Sequence, residues 1–281
     1  MQNLSVTLIQ TDLYWENPTA NLANLEEKIA QIPTQTDLII LPEMFNSGFT
    51  MNAKSVAEPM NLTTFKWLRQ QAKKANAVIT GSFIVKEGEK FYNRLIWMRP
   101  DGGFEKYDKR HLFRMGNEHL TFTGGTQRLI VELKGWKICP LICYDLRFPV
   151  WSRQQAQSHE GTEVQSKRTS NIEPQASHLY DLLIYVANWP SARSQVWDTL
   201  LQARAIENQS YCIGVNRVGD DGMGLHYSGN STVIDFKGNP LFYEKESEIT
   251  HNQILNYQEL MDFRTKFPAY LDADEFEILK D

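Results

Sequence analysis

The sequence predicts an α/β domain of layered mixed sheets, and three observations carry that expectation. Short apolar runs of strand length alternate with stretches of helical apolar spacing along most of the chain. Turn chemistry between some of these runs, Lys-Gly in one place and Lys-Gly-Asn in another, joins neighbouring strands as hairpins. No linker composition and no internal repeat divides the 281 residues, a length that suits one large domain or two small ones.

The elements follow in order. Residues 4–9 read as the first strand. Asn17 and Pro18 then read as an N-cap and first-turn proline. Leu22, Leu25, Ile29 and Ile32 fall on one face of a helix that Pro33 stops. The run DLIILP (37–42) is unbroken and apolar, as in a strand buried on both faces. Thr63 or Thr64 is expected to cap a helix whose apolar face is Phe65, Leu68, Ala72 and Ala75. Residues 77–84 and 91–98 read as strands, followed by the turn Pro100, Asp101, Gly102, Gly103. Residues 129–133 and 136–142 bracket Lys134 and Gly135 as a hairpin. A strand at 181–187 precedes a helix face of Val196, Trp197, Leu200, Leu201 and Ala205. A strand at 211–215 and a late hairpin of 228–235 with 240–243 complete the pattern.

Two segments stand apart. Residues 154–178 carry very few large apolar side chains and are expected to form an exposed insertion. From about Leu255 the chain mixes acids with Phe263, Phe267, Tyr270 and Phe276, as a tail packing on the domain or on a second subunit. The expected organisation is one domain over 1–255, with its insertion, and a tail over 256–281.

Composition narrows the function classes. A net charge of −5 gives no electrostatic reason to expect nucleic acid or acidic membranes as partners. The first ten residues lack the pattern of a signal peptide, and no apolar run is long enough for a membrane span. Cys139, Cys143 and Cys212 are odd in number and lack CxxC spacing, which fits a reducing cytoplasm. The six histidines make no zinc motif, so no zinc site is expected.

Four residues carry chemistry. Cys143 follows the strand KICPLI, at the strand end where an open α/β sheet presents side chains to a ligand. A thiol needs a neighbouring base or positive charge to attack at neutral pH. Glu43 has the same address after DLIILP, and a carboxylate there is costly unless paired or used. Lys109, in KYDKRHLF, offers a point charge for an anionic intermediate, and Glu118 lies in GNEHLTF. Taken singly, each also has an ordinary reading: a small buried hydrophobe for Cys143, a cap or ion-pair partner for Glu43, solvated charges for the others. Cys139 and Cys212 sit inside apolar strands and read as packing.

Their arrangement resembles the nitrilase superfamily of carbon–nitrogen hydrolases over nearly the whole chain. The matching fragments are LPEMF, DKRHLF, ICYDLRFP, YVANWP, ARAIENQ and GVNRVG, in that order. Within the superfamily the chain looks most like the omega-amidase branch, which acts on small dicarboxylic monoamides. The resemblance implies a four-layer α–β–β–α sandwich assembled at least as a dimer. It implies Glu43 as general base, Cys143 as nucleophile, Lys109 as the cation for the intermediate and Glu118 as the additional glutamate, in a reaction that needs no metal or organic cofactor. The backbone N–H of Tyr144 is a second candidate for the oxyanion. A substrate carboxylate should meet a cation; Arg147, Arg114 and Arg193 are candidates, each equally readable as a structural ion pair. Trp189 and Phe45 are candidate pocket walls, or packing. Residues 154–178 depart from the family pattern. Rival readings are nitrile or carbamoyl hydrolysis, acyl transfer to an amine, a non-catalytic binding protein and a thiol sensor using Cys139.

Overall fold

The computed structural model describes residues 2–154, 180–274 and 276–278. The expected insertion therefore lies, apart from Gln154, outside the described residues.

The chain opens with strand β1 (Leu4–Gln10) and helix α1 (Pro18–Ala30). Asn17 caps α1, its side-chain oxygen accepting the Ala20 N–H at 3.1 Å, with Pro18 in the first turn. Strand β2 (Leu38–Ile40), the one-turn helix α2 (Ala53–Val56) and the short strand β3 (Glu58–Pro59) follow. Helix α3 (Thr63–Ala75) departs from expectation at its start, because neither threonine oxygen caps it. The Glu58 carboxylate does so instead, accepting the Thr64 N–H at 2.9 Å and the Thr64 hydroxyl at 2.5 Å. A carboxylate is favoured there by the helix dipole.

Strands β4 (Val78–Glu87), β5 (Lys90–Met98) and β6 (Phe104–Asp108) form an antiparallel meander. Strand β6 escapes the sequence reading because FEKYD is a largely polar edge strand. After the one-turn helix α4 (Glu118–Thr121), strands β7 (Val131–Leu133) and β8 (Trp136–Ile142) make the expected hairpin. Its two turn residues, Lys134 and Gly135, both have positive φ, 52° and 85°, as a two-residue hairpin turn requires. One-turn helix α5 (Pro149–Ser152), strand β9 (Leu182–Ala187), helix α6 (Ser194–Asn208) and strand β10 (Tyr211–Asn216) come next. Strands β11 (Val218–Asp220), β12 (His226–Ile234), β13 (Pro240–Lys245) and β14 (Ile249–Leu255) lead to helix α7 (Tyr257–Lys266).

The strands form two seven-stranded sheets. One has the order β14-β1-β2-β4-β5-β6, with β3 on β4; the other has β11-β12-β10-β9-β8-β7, with β13 on β12. Side-chain alternation assigns the faces of the first sheet. Leu4, Val6, Leu8, Leu38, Ile40, Leu95 and Trp97 join the core shared with the second sheet. Ile9, Ile39, Ile79, Ile96 and Met98 face the other way and pack with Leu22, Leu25 and Ile29 of α1 and Phe65, Leu68 and Ala72 of α3. Helix α6 packs on the second sheet through Trp197, Leu201 and Ala205. It approaches β10 closely because position 214 is glycine; a Cβ there would sit 2.4 Å from Leu201. The layers are therefore helix, sheet, sheet, helix, the four-layer sandwich the resemblance implies.

Helix α7 folds back onto this domain. Arg264 donates to Asp181 at 2.6 Å, and the Phe263 ring lies 5.0 Å from that of Phe236. Among the described residues no helix is long and apolar enough to cross a membrane.

Candidate active site

The candidate residues converge where strands of both sheets end. Lys109 directly follows β6, Cys143 directly follows β8, and Asn188 directly follows β9. Glu43 lies three positions past β2, in a turn closed by Ser47 and Gly48 N–H bonds to the Met44 carbonyl. The backbone twists sharply at two points: φ is 43° at Met44 and 44° at Cys143. A left-handed conformation costs a non-glycine residue about 1–3 kcal/mol and persists only where surrounding contacts impose it.

Those contacts centre on Asp145, in the turn that follows Cys143. Asp145 accepts the N–H of Ile142 at 3.1 Å, the N–H of His111 at 3.0 Å and the Tyr107 hydroxyl at 2.7 Å. His111 Nδ1 lies 2.8 Å from the same carboxylate, and its ring stacks on Phe148 at 3.7 Å. One buried carboxylate thus ties the Cys143 turn to the segment that carries Lys109.

Glu43, Lys109 and Glu118 are completely buried, and Cys143 is 8% exposed. Lys109 Nζ donates to Glu43 Oε1 at 2.8 Å and to the Glu118 oxygens at 3.0 and 3.1 Å. Glu118 also accepts the Phe113 N–H at 2.6 Å. Glu43 Oε2 accepts the N–H of Asn188 at 2.8 Å, while the Asn188 side chain donates to the Glu43 carbonyl. The Cys143 thiol faces the Asn188 carbonyl at 3.9 Å. Asn93 of β5 donates to Glu43 Oε1 at 2.8 Å and to Glu118 Oε1 at 3.2 Å.

These contacts set the charges. Burial alone would pull the Lys109 ammonium down, but Glu118 and Glu43 outweigh it and hold it above the ordinary lysine range. Burial raises the Glu118 carboxyl, Lys109 opposes that, and the nearby Glu43 charge adds to it. Burial also pushes the Cys143 thiol well up, and Glu43 beside it pushes further than Lys109 pulls back. Burial and the neighbouring Glu43 therefore favour the neutral thiol at Cys143.

Aromatic rings surround the cluster. Lys109 Nζ lies 5.3 Å over the Phe49 ring, and Tyr144 packs against Phe113 at 5.1 Å and Phe148 at 5.2 Å. Arg147 lies over Trp189 at 5.2 Å and Arg193 over Phe113 at 5.4 Å. Arg114 is exposed on a single 3-10 turn. Among the described residues none of these three arginines has a carboxylate partner.

One expected wall residue lies elsewhere. Phe45 is fully buried against Trp67 of α3 and Phe83 of β4, at 5.9 and 6.2 Å, so it belongs to the core under the helices. An extended strand would put residues 43 and 45 on one face; the left-handed turn at Met44 breaks that rule.

Sequence reasoning missed Asn93 and Asn188. Asn188 had a signal, a polar residue ending the apolar strand of YVANWP. Asn93 sits within a strand and had none.

A buried thiol beside a glutamate–lysine–glutamate cluster, at the strand ends of an α–β–β–α sandwich, defines a class, and the comparisons agree with it: residues 5–250 match the carbon-nitrogen hydrolase family, to which the chain belongs. The chain is 42% identical over 280 residues to the omega-amidase YafV of Yersinia enterocolitica, covering 99% of this chain and 100% of that one. It is 43% identical over 279 residues to the omega-amidase YafV of Escherichia coli (strain K12), with the same coverage. A CN-hydrolase superfamily protein of Xanthomonas campestris, solved with an arsenic adduct in its active site, superposes with a TM-score of 0.91 at 43% identity, covering 99% and 100% of the two chains. Nit3 of Saccharomyces cerevisiae, a member of branch 10 of the nitrilase superfamily, superposes with a TM-score of 0.77 at 25% identity over 95% of each chain.

Proposed function

We propose that this chain is an omega-amidase, hydrolysing small dicarboxylic monoamides such as 2-oxoglutaramate or succinamate to acid and ammonia. The carrying observation is the buried cluster of Cys143, Glu43, Lys109 and Glu118, and the full-length similarity to two omega-amidases supports the substrate class.

The mechanism follows acyl-transfer logic. Glu43 takes the thiol proton as Cys143 Sγ attacks the amide carbon. The oxyanion forms against the Lys109 ammonium and the Tyr144 N–H. The leaving nitrogen takes the proton from Glu43 and departs as ammonia, leaving a thioester on Cys143. Water, deprotonated by Glu43, then releases the acid. Glu118 pairs with Lys109 alongside Glu43 and keeps it charged through the cycle. Arg147, lying over Trp189 without a carboxylate partner among the described residues, is the cation for the far carboxylate of the substrate.

The experiment is ammonia release from 2-oxoglutaramate, succinamate, glutamine and asparagine, with Cys143→Ala alongside. Release from the first two, lost in the variant, supports the reading; silence on all four overturns it. The same reading makes residues 1–255 one catalytic domain, and the chain a cytoplasmic homo-oligomer. Three free, buried cysteines support a reducing compartment, and gel filtration with light scattering tests the assembly.

A further inference from the structure

Asn93 occupies a position that the four chemical residues do not account for. It projects from β5, is 1% exposed, and its Nδ2 donates to both carboxylates of the site: Glu43 Oε1 at 2.8 Å and Glu118 Oε1 at 3.2 Å. Its carbonyl also accepts the Lys109 N–H at 3.0 Å, so the same residue holds the backbone from which the lysine extends. Its side-chain oxygen is buried with no hydrogen-bond partner among the described residues. An amide can be turned end for end, and a buried orphan acceptor costs free energy. The opposite orientation would aim a carbonyl at two carboxylates, so the site fixes the amide with both hydrogens towards the glutamates.

The charge balance gives this a purpose. Two carboxylates and one ammonium share a space without solvent, and burial favours a proton on Glu118. Lys109 is the one cation that ion-pairs with them among the described residues. The Asn93 amide is a neutral donor that stabilises their charged forms without adding an acid or base that could exchange protons with the thiol.

We propose that Asn93 is a positioning residue: its amide holds the Glu43 carboxylate, together with Lys109 and Glu118, in the place from which it can take the Cys143 proton. The proposal deepens the amidase reading and rests on its assignment of Glu43 and Cys143. It makes no claim about which amide is the substrate.

The test reads the thiol directly. Cys143 is alkylated with iodoacetamide across pH 5–9, its labelling rate followed by peptide mass spectrometry, in the wild-type chain, Asn93→Ala and Asn93→Asp. In the wild type Glu43 assists alkylation by taking the thiol proton. Asn93→Ala loses a charge-assisted hydrogen bond to that carboxylate, so its labelling is expected to be about tenfold slower or more. Asn93→Asp sets a third carboxylate against Glu43 and Glu118 and is expected to label more slowly still. The aspartate variant keeps the shape of asparagine and carries the test should the alanine protein melt too early. A wild-type labelling rate in a folded variant, with only melting temperature changed, would overturn the proposal. Because labelling needs no substrate, a wild-type chain silent on every amide would refute the omega-amidase reading and leave the role of Asn93 to be decided by the labelling rate.

Discussion

Replacing Lys109 with methionine keeps most of its volume and removes the cation between Glu43 and Glu118, both fully buried. Leaving such charges unpaired costs about 3–5 kcal/mol, the usual penalty for breaking a buried ion pair from one side. The fold has a second route, which is to protonate one glutamate. That route costs about 1.4 kcal/mol for each pH unit above the ordinary glutamate value, here 4.5. It amounts to roughly 0.7 kcal/mol at pH 5 and 3.4 kcal/mol at pH 7. Protonation is therefore the cheaper route through most of this range. The sign follows from linkage: the folded variant holds its glutamate proton more tightly than the unfolded chain does. Its stability is then greatest in acid and falls as pH rises towards the raised value. Urea unfolding of both proteins at pH 5, 6 and 7 is expected to show a gap that widens by about 2–3 kcal/mol. A gap independent of pH, or a variant as stable as the wild type at pH 7, would refute the reasoning that the lysine balances two buried charges.

Three further outcomes are expected. Glu43→Gln should lower kcat/KM for ammonia release by about 10²–10⁴-fold, the usual contribution of a general base; because burial, the largest cause, still raises the thiol when Glu43 is gone, raising pH from 7 to 9 should not restore the rate. Arg147→Met should raise KM for 2-oxoglutaramate by about tenfold or more, as for loss of one charge-assisted hydrogen bond, and leave turnover of a neutral amide such as propionamide unchanged; equal losses on both would remove Arg147 from the carboxylate site. Phe45→Ala should cost about 3–5 kcal/mol in urea unfolding, as large-to-small core substitutions do, with KM unchanged in the protein that remains folded; a KM effect at full stability would return Phe45 to the pocket.

Most of the scaffold was legible because its periodicity is strong. Asn17 and Pro18 mark the start of α1, and the alternating apolar positions of β1 and β5 assign the faces that the two sheets use. What escaped lacks a local signal. β6 is a polar edge strand recognisable only by its pairing with β5, and α7 is mixed in character because it docks through both an apolar residue, Leu260, and a buried arginine, Arg264, on Asp181. The Thr64 cap failed because Glu58, six positions upstream, competes for the same hydrogen-bonding groups. At the site, residue order within fragments pointed to Glu43, Lys109, Glu118 and Cys143, and the structure brings them together. Phe45, offered as a pocket wall or as packing, takes the packing role because the left-handed residue Met44, which no spacing rule reveals, turns the chain between it and Glu43.

The position of the cluster has a mechanical consequence. Glu43, Lys109 and Asn93 belong to the first sheet, while Cys143 and Asn188 belong to the second. Glu43 and Cys143 therefore meet only because the two sheets are packed in one register. Asn188 fixes that register at the site, its backbone N–H and side chain both reaching across to Glu43 from the end of β9. Asp145 fixes it a second time, holding the Tyr107 hydroxyl and the His111 N–H of the first-sheet segment. The core that the two sheets share includes Leu95, Trp97, Leu141 and Tyr185. Interiors packed at crystal density transmit small displacements, so a change of volume between the sheets is felt as a change in the distance from Glu43 to Cys143. An elbow held against left-handed strain at Cys143 has little freedom to compensate. Sensitivity of turnover to core substitutions between the sheets, exceeding sensitivity to equal substitutions under α1 and α3, is what this architecture entails.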